Sequence, residues 1–261
     1  MYKRQDSPSG LIEKAFATGL KTIAITDHDT FRAHAEAGVR AAELGIRLVR
    51  GVEISTKARG RSVHLLAYWF NAPPVDAFEV WLEEMLKYRR ERNRRLAERL
   101  RGLGIPIELA EAEALGRTIT GRVHFAKVLI AKGYAKSISE AFNKYIGEDA
   151  PGFVTMEDPQ TPVAVLKVRE CGGVPVLAHP VRLGMKDPEV EEAFVREQVE
   201  AGLLGLEVMH SDHNDAARSR YRAMAKRYGL AYSGGSDFHG DIKPQIRLGS
   251  GLDGNVQVPV E

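Results

Sequence analysis

The chain has almost no cysteine, almost no net charge and no long hydrophobic run. Each absence removes a class of protein. The single cysteine, Cys171, excludes an internal disulfide framework and fits a reducing compartment. It stands at the expected end of a helix, between Lys167 and Gly173, where a buried structural thiol is the simpler reading. The formal net charge is +2, so no global field draws the chain to nucleic acid or to a membrane, and any preference for anions must be local. No apolar run approaches the roughly 20 residues that span a bilayer. Nothing ahead of the first expected helix has the layout of a secretory signal. The expected location is therefore the cytoplasm, with no membrane and no obligate protein partner. Internal repeats and low-complexity tracts are absent. What remains is 261 residues, 44% hydrophobic and 28% charged, enough for one large α/β body with a small inserted domain.

Helix and strand patterns alternate at both ends of the chain. Ser9 to Ala17 has helical spacing and a stop at Gly19; Lys21 to Thr26 is a short β-branched strand. Asp29 or Thr30 can cap the next helix, with Asp29 favoured, and that helix runs to Leu44 and stops at Gly45. Arg47 to Ile54 and Ser62 to Phe70 read as strands around a turn at Gly60. The rhythm breaks at Asn71-Ala72-Pro73-Pro74. Four helical segments follow without a strand: Val75 to Leu103, Glu108 to Leu115, Arg122 to Lys132 and Ser139 to Ile146. Alternation resumes at Thr161. Three helices, from Pro162, Pro188 and Asp215, lead to strands Val174 to Ala178, Leu204 to Met209 and Leu230 to Ser233. The expected organisation is a β/α body over 1–72 and 158–261 with an inserted helical domain over 73–157.

Metal-type side chains sit on five of the apolar strand runs. Asp27-His28-Asp29 follows the first, Glu53 ends the second, and His64 lies within the third. His179 follows Val174 to Ala178, and Ser236-Asp237-Phe238-His239 follows the last strand. In β/α barrels the reactive groups gather at the C-terminal ends of parallel strands, so these residues are expected at one mouth. Histidine with carboxylate is a ligand set for divalent Zn, Mn or Fe, ions that generate hydroxide near neutral pH. A centre of two or three ions needs a bridging carboxylate, and Glu53 is the candidate. Asp237 and His239 share a side if their segment is extended. His34 and His213 read as ordinary surface or helix-capping histidines, Asp27 as support for a ligand, and His210 is open. The arginines of Glu83 to Leu96 read first as a solvated face with i,i+4 pairs such as Glu91 with Arg95, and second as a cationic rim. Gly121-Arg122-Val123-His124 opens a helix and could seat a phosphate.

Thr26-Asp27-His28-Asp29-Thr30, Gly51-Val52-Glu53, His64-Leu65-Leu66, Ala178-His179-Pro180 and Gly235-Ser236-Asp237-Phe238-His239 together resemble the PHP family, the polymerase and histidinol phosphatase metal-dependent phosphoesterases. The helical insertion, with Gly121 to His124 and Ser139 to Phe142, is most similar to the subgroup acting on nucleoside 3′,5′-bisphosphates and short 5′-phosphorylated RNA. The resemblance implies an α/β fold, a distorted (β/α)7 TIM-like barrel, with two or three divalent ions, Mn first and Zn or Fe as alternatives. It implies that Glu53 bridges two ions completed by His64, His179 and Asp237. His28 and His239 would serve a third, and Arg122 and His124 would face the substrate phosphate. Glu53, Asp237 and His239 are the expected catalytic residues, His239 or His210 acting as proton donor. The family opens with a strand carrying Asp-x-His-x-His. Met1 to Gln5 stand where the turn after it belongs, so the first strand is expected to be absent. The implied activity is phosphoester hydrolysis of a small nucleotide or short RNA. A catalytically silent domain of the same fold is the first alternative and a metal-dependent amidohydrolase the second.

Overall fold

The computed structural model describes residues 6–116, 119–155 and 157–258. In chain order the first elements are α1 (Pro8–Ala17), β1 (Thr22–Ile25), α2 (Ala33–Leu44), β2 (Arg47–Ala58) and β3 (Arg61–Trp69). The helices α3 (Asp76–Gly102), α4 (Leu109–Glu113), α5 (Arg122–Ala131) and α6 (Ile138–Ala141) follow, the last running into a π-helical turn at Phe142–Ile146. The chain then continues with α7 (Thr161–Glu170), β4 (Val174–Leu177), α8 (Pro188–Glu200), β5 (Gly205–His210), α9 (Asp215–Tyr228) and β6 (Ala231–Gly235). A small pair, β7 (Ile246–Arg247) and β8 (Gly251–Leu252), ends it. The residues fall into two compact units, 1–79 with 159–261, and 80–158. Among the described residues no helix is long and apolar enough to cross a membrane. Met1 to Gln5, which stand where the family's turn belongs, lie outside the described residues.

Punctuation in the sequence sets most element ends. Ser7 Oγ accepts the Gly10 N–H at 3.1 Å and so caps α1, with Pro8 in the first turn where its missing N–H costs nothing. Gly45 and Gly229 close α2 and α9 in the left-handed region that favours glycine. Cys171 is buried at the end of α7, and its carbonyl accepts the Trp69 indole N–H at 2.9 Å. In the α/β unit, α1 and α2 bury Ile12, Ala15, Ala37 and Ala41 with Ile23 and Ile25 of β1.

Six strands form one sheet in the order β1-β2-β3-β4-β5-β6, curled as half a barrel. β1 pairs with β2 in parallel, as do β4 with β5 and β5 with β6. β3 is antiparallel to both β2 and β4, which overturns the expectation of parallel strands throughout. The cause is local. Only Arg59 and Gly60 separate β2 from β3, both at positive φ (50° and 76°). A two-residue loop with two left-handed residues makes a hairpin, whereas a parallel return needs a crossover of a dozen residues or more. The reversal brings the start of β3 level with the C-terminal ends of its parallel neighbours. Ala178 N, just past β4, donates to His64 O at 3.2 Å. His64 pairs with Ser55, two residues beyond Glu53, and therefore shares a sheet face with Glu53.

Residues 80–158 carry only helical elements among the described residues, packed on Leu96, Leu100, Ile107, Phe125, Leu129 and Ile146. On α3, Arg94 and Arg95 pair with carboxylates of the same helix, whereas Arg89 and Arg92 are buried. Glu91 takes Arg94 at 2.7 Å and Arg95 at 2.9 Å, and Arg94 also reaches Glu98. The i,i+4 reading holds for Arg94 and Arg95, but the solvated-face reading does not extend to the buried Arg89 and Arg92.

Gly51 is where β2 approaches its neighbours most closely. A Cβ there would lie 2.9 Å from Thr26 Cγ2, 3.1 Å from the Ile25 carbonyl oxygen and 3.1 Å from the Tyr68 ring. Gly51→Ala should lower unfolding free energy by about 1–3 kcal/mol, the usual range for overpacking. Urea unfolding followed by circular dichroism checks it; an unchanged midpoint would show that β1 can yield.

Candidate metal centre

Glu53 is buried in β2 and held from both sides by the chain after β1. Its N–H donates to Asp27 O at 3.1 Å, and its carbonyl accepts Asp29 N–H at 3.0 Å. This exchange extends the β1–β2 ladder past β1 and places His28 opposite Glu53. Asp29 does not cap α2. Its Oδ1 accepts the Ser55 N–H at 2.7 Å, and the residue before α2, Arg32, makes no side-chain cap. The cap expected of Asp29 gives way because β2 offers its carboxylate a nearer donor.

Three imidazoles converge on the Glu53 carboxylate. His64 Nδ1 lies 2.7 Å from Oε1, His179 Nε2 3.1 Å from the same oxygen, and His28 Nε2 3.7 Å from Oε2. His64 Nδ1 and His179 Nε2 are 3.3 Å apart. The ligand atoms of His28, Glu53 and His64 all fall within 4.8 Å of one another. Donors on a tetrahedral divalent ion, at about 2.0–2.2 Å each, stand about 3.4 Å apart. These separations therefore fit a divalent cation. Burial pushes the Glu53 carboxyl up, but the charges of His28 and His64 and the bonds from His179 and His64 outweigh it and hold it well below the usual range. Burial lowers His179 against the opposing pull of Glu53, which favours the neutral form that metal ligation requires.

A second cluster surrounds Asp237. The segment after β6 is not extended, as the two-apart spacing suggested, but turned, with Asp237 at φ 54°. His239 Nδ1 therefore donates to the Asp237 carbonyl at 2.7 Å, which leaves the lone pair on Nε2, and Asp237 Oδ1 lies 3.4 Å from Nδ1. His210 is fully buried, and its Nδ1 accepts the Asp212 N–H at 3.0 Å. The proton must then sit on Nε2, 3.8 Å from Asp237 Oδ2, which makes His210 a donor toward Asp237 rather than a ligand in that tautomer. Arg182 (2.8 Å) and Lys243 (2.6 Å) both end on Asp237 Oδ2. Burial raises the Asp237 carboxyl, but His210, His239, Arg182 and Lys243 together hold it far below its ordinary value. His179 and His210, with ring centroids 5.4 Å apart, join the two clusters. Asp27 lies between them, its carboxyl pushed up by burial within the fields of His239 and Glu53. Three of the five non-glycine residues with positive φ among those described, Asp29, His179 and Asp237, belong to this site. Strained backbone of this kind persists where the surroundings over-determine it.

Other expected positions fall differently. His34 is structural: its Nε2 accepts the Gly51 N–H at 3.2 Å and its Nδ1 faces Phe31 O. His213 is no surface cap. It is buried, bonded through Nδ1 to Val208 O at 2.9 Å and pushed down to about 4 by burial, and Asn214 caps α9 instead. In the helical unit, Arg122 and His124 do open α5. His124 Nδ1 accepts the Gly121 N–H at 2.9 Å while burial, with Lys127, lowers it to about 4, and its Nε2 finds no partner. Arg122 lies over the rings of Phe142 and Phe153 at 5.8 and 5.4 Å.

Sequence reasoning missed Glu207, Arg182 and Lys243. Glu207 is buried in β5, and its Oε2 accepts the strained His179 N–H at 2.6 Å. Burial first, then Asp237 and Glu53, raise its carboxyl to about 8. A carboxyl whose folded value exceeds the ordinary 4.5 favours folding fully below 4.5, and that contribution is lost as pH rises through about 8. In chelator-treated protein, Glu207→Gln should therefore gain thermal stability relative to the parent between pH 5 and about 8. Melting curves at pH 5, 6.5 and 8 check the sign; a constant difference across that range would mean that Glu207 does not hold its proton.

No family model matches the chain. It is 32% identical to a 5′-3′ exoribonuclease of Haemophilus influenzae over 95% of this chain and 89% of the relative. It is 32% identical to a 3′,5′-nucleoside bisphosphate phosphatase of Chromobacterium violaceum, over 89% of this chain and 82% of that one. A Bifidobacterium adolescentis structure assigned as a metal-dependent phosphoesterase superposes with a TM-score of 0.81 at 30% identity, over 95% of this chain and 87% of that one. Clustered imidazoles on a buried carboxylate, and near-full-length likeness to phosphoesterases, place this chain in the PHP family of metal-dependent phosphoesterases.

Proposed function

We propose that this chain hydrolyses phosphate esters of nucleotides, a nucleoside 3′,5′-bisphosphate or short 5′-phosphorylated RNA, by means of water activated at a divalent metal centre. The observation that carries the reading is the convergence of His28, His64 and His179 on buried Glu53, all within 3.7 Å. The relatives' names supply the substrate class. In this reading Glu53, His64, His179 and Asp237 would hold the ions, and His28 and His239 would serve as further ligands. Two or three ions bind, with Mn²⁺ favoured and Zn²⁺ or Fe²⁺ the alternatives. Bound ions of this kind supply a hydroxide near neutral pH and neutralise phosphoryl charge.

The protein's own part is positioning. Asp27 and Asp29 clamp the Glu53 backbone, and Glu207 clamps that of His179, so the donors are held before any substrate arrives. His239 takes part with its Nε2, and His210 offers an N–H beside Asp237 for the leaving oxygen. Arg122 and His124, at the start of α5, are the proposed seat for a substrate phosphate: a helix N-terminus with a cation in its first turn suits that role. The helical segment 73–157 acts as an insertion that carries them. The fold is read as a distorted (β/α)7 barrel. In this reading a further strand would pair with an edge of the sheet, β1 or β6. The expected setting is the cytoplasm, in keeping with the lone buried cysteine.

Purified protein supplied with Mn²⁺ should release phosphate from a nucleoside 3′,5′-bisphosphate or mononucleotides from 5′-phosphorylated RNA, and chelation should abolish it. Glu53→Gln should cost roughly 10³-fold in kcat and lower the bound metal, since a cation's charge stabilisation amounts to several kcal/mol. Arg122→Met should lower kcat/KM about 10²-fold with metal content unchanged, the scale of losing one charge-stabilising donor. A Mn²⁺-loaded protein inert toward every phosphoester tried would sink the reading.

A further inference from the structure

The Asp237 carboxylate holds more positive charge than one carboxylate needs. Arg182 Nη2 and Lys243 Nζ both end on the same oxygen, Oδ2, at 2.8 and 2.6 Å. Arg182 is also anchored from behind: its Nε and Nη2 reach Asp212 Oδ2 at 2.7 and 2.6 Å. With Arg182 and Lys243 positive and Asp212 and Asp237 negative, the group is formally neutral. These four side chains, with Gln245 and Ile246, line a cleft of about 180 Å³. That is below the roughly 300–1,000 Å³ of sites for drug-sized ligands, so it suits one small group and not a whole nucleotide. Both cations remain partly open to it, with side chains 34% and 30% exposed.

The reading of Asp237 as a metal-binding residue, on which this inference rests, creates a conflict. A divalent cation drawn onto Asp237 Oδ2 competes with the guanidinium and the ammonium for that oxygen. With the cation counted in, the formal charge of the group changes from zero to +2, and the hold of Asp237 on Arg182 and Lys243 weakens. Asp212 still fixes Arg182, which keeps its planar donor fork aimed into the cleft, the arrangement that suits a phosphate's paired oxygens.

We propose that Arg182 and Lys243 form a seat for a phosphate monoester that Asp237 masks in the metal-free protein, and that commitment of Asp237 to a divalent cation opens it. Cation and phosphate then bind with positive, reciprocal coupling. The metal-free protein has little affinity for substrate, and the substrate phosphate strengthens retention of the metal.

Asp237→Asn tests this without metal or turnover, because it removes the masking charge and keeps the side chain's shape. Calorimetric titration of chelator-treated protein with inorganic phosphate should show Asp237→Asn binding about 5–150-fold more tightly than the parent, the usual span of a coupling between sites. Adding Arg182→Met or Lys243→Met to Asp237→Asn should return the affinity to the parent's level. Thermal melts confirm that each variant is folded. If Asp237→Asn does not fold, the parent serves instead: its phosphate affinity should rise on adding Mn²⁺, and Lys243→Met should remove that rise. No gain in the folded Asp237→Asn protein, or a gain that survives loss of both cations, overturns the seat. Phosphate binding as expected without hydrolysis of any phosphoester would overturn the proposed function and leave the seat standing. Hydrolysis without the gain would overturn the seat alone.

Discussion

Placing one ionised carboxylate deep in a sheet sets the terms for the rest of this site. Glu53 is buried, and an isolated charge there would cost several kcal/mol, so its neighbours must compensate it or it must take up a proton. Three imidazoles supply the compensation, each from a different strand or strand end: His28 after β1, His64 on β3 and His179 after β4. Sheet order makes this possible. β2 lies between β1 and β3, and β3 lies between β2 and β4, so donors on both sides are one or two strands away. Backbone bonds at Asp27, Asp29 and Glu207 then fix what the side chains alone would leave free.

Asp237 solves the same problem with different partners. Its countercharges include Arg182 and Lys243 on one oxygen, beside the imidazoles of His210 and His239. Under the proposed phosphate seat, Glu53 is the fixed carboxylate of the two and Asp237 the one that changes partners. The ring contact between His179 and His210 links the two, so the site is one continuous run of polar groups from His28 to Lys243.

Much of this could be read from the chain, and the failures share a cause. Helix ends marked by Gly45, Gly229 and Pro8 fall within a residue or two of expectation because capping and stop signals are local. The strand-end histidines and carboxylates were visible because strand runs and metal-type residues coincide along the sequence. The direction of β3 was misjudged although its signal, a two-residue loop ending in glycine, was present; the β/α rhythm on either side suggested parallel strands. Asp29, His213 and Glu207 were not legible at all. Their roles depend on Ser55, Val208 and His179, and for Asp29 and Glu207 those partners lie 26 and 28 residues away. Arg182 and Lys243 were obscured in the same way, since nothing along the chain says that they meet at one oxygen.

Glu53 and Glu207 show why residue type alone does not give role. Both are buried glutamates of one sheet, on β2 and β5, yet one is held well below the ordinary carboxylate range and the other is raised to about 8. Burial acts on them alike. The difference is in what faces them: imidazoles that can carry charge for Glu53, and for Glu207 a backbone N–H with Asp237 and Glu53 as like-charged neighbours. In the proposed reading Glu53 is the anionic ligand of a cation, while Glu207 spends its oxygen on the His179 backbone. The pairing follows the general pattern in which neighbouring carboxyl groups are driven apart in proton affinity and so divide their tasks. Here the division is between binding and holding the binder in place.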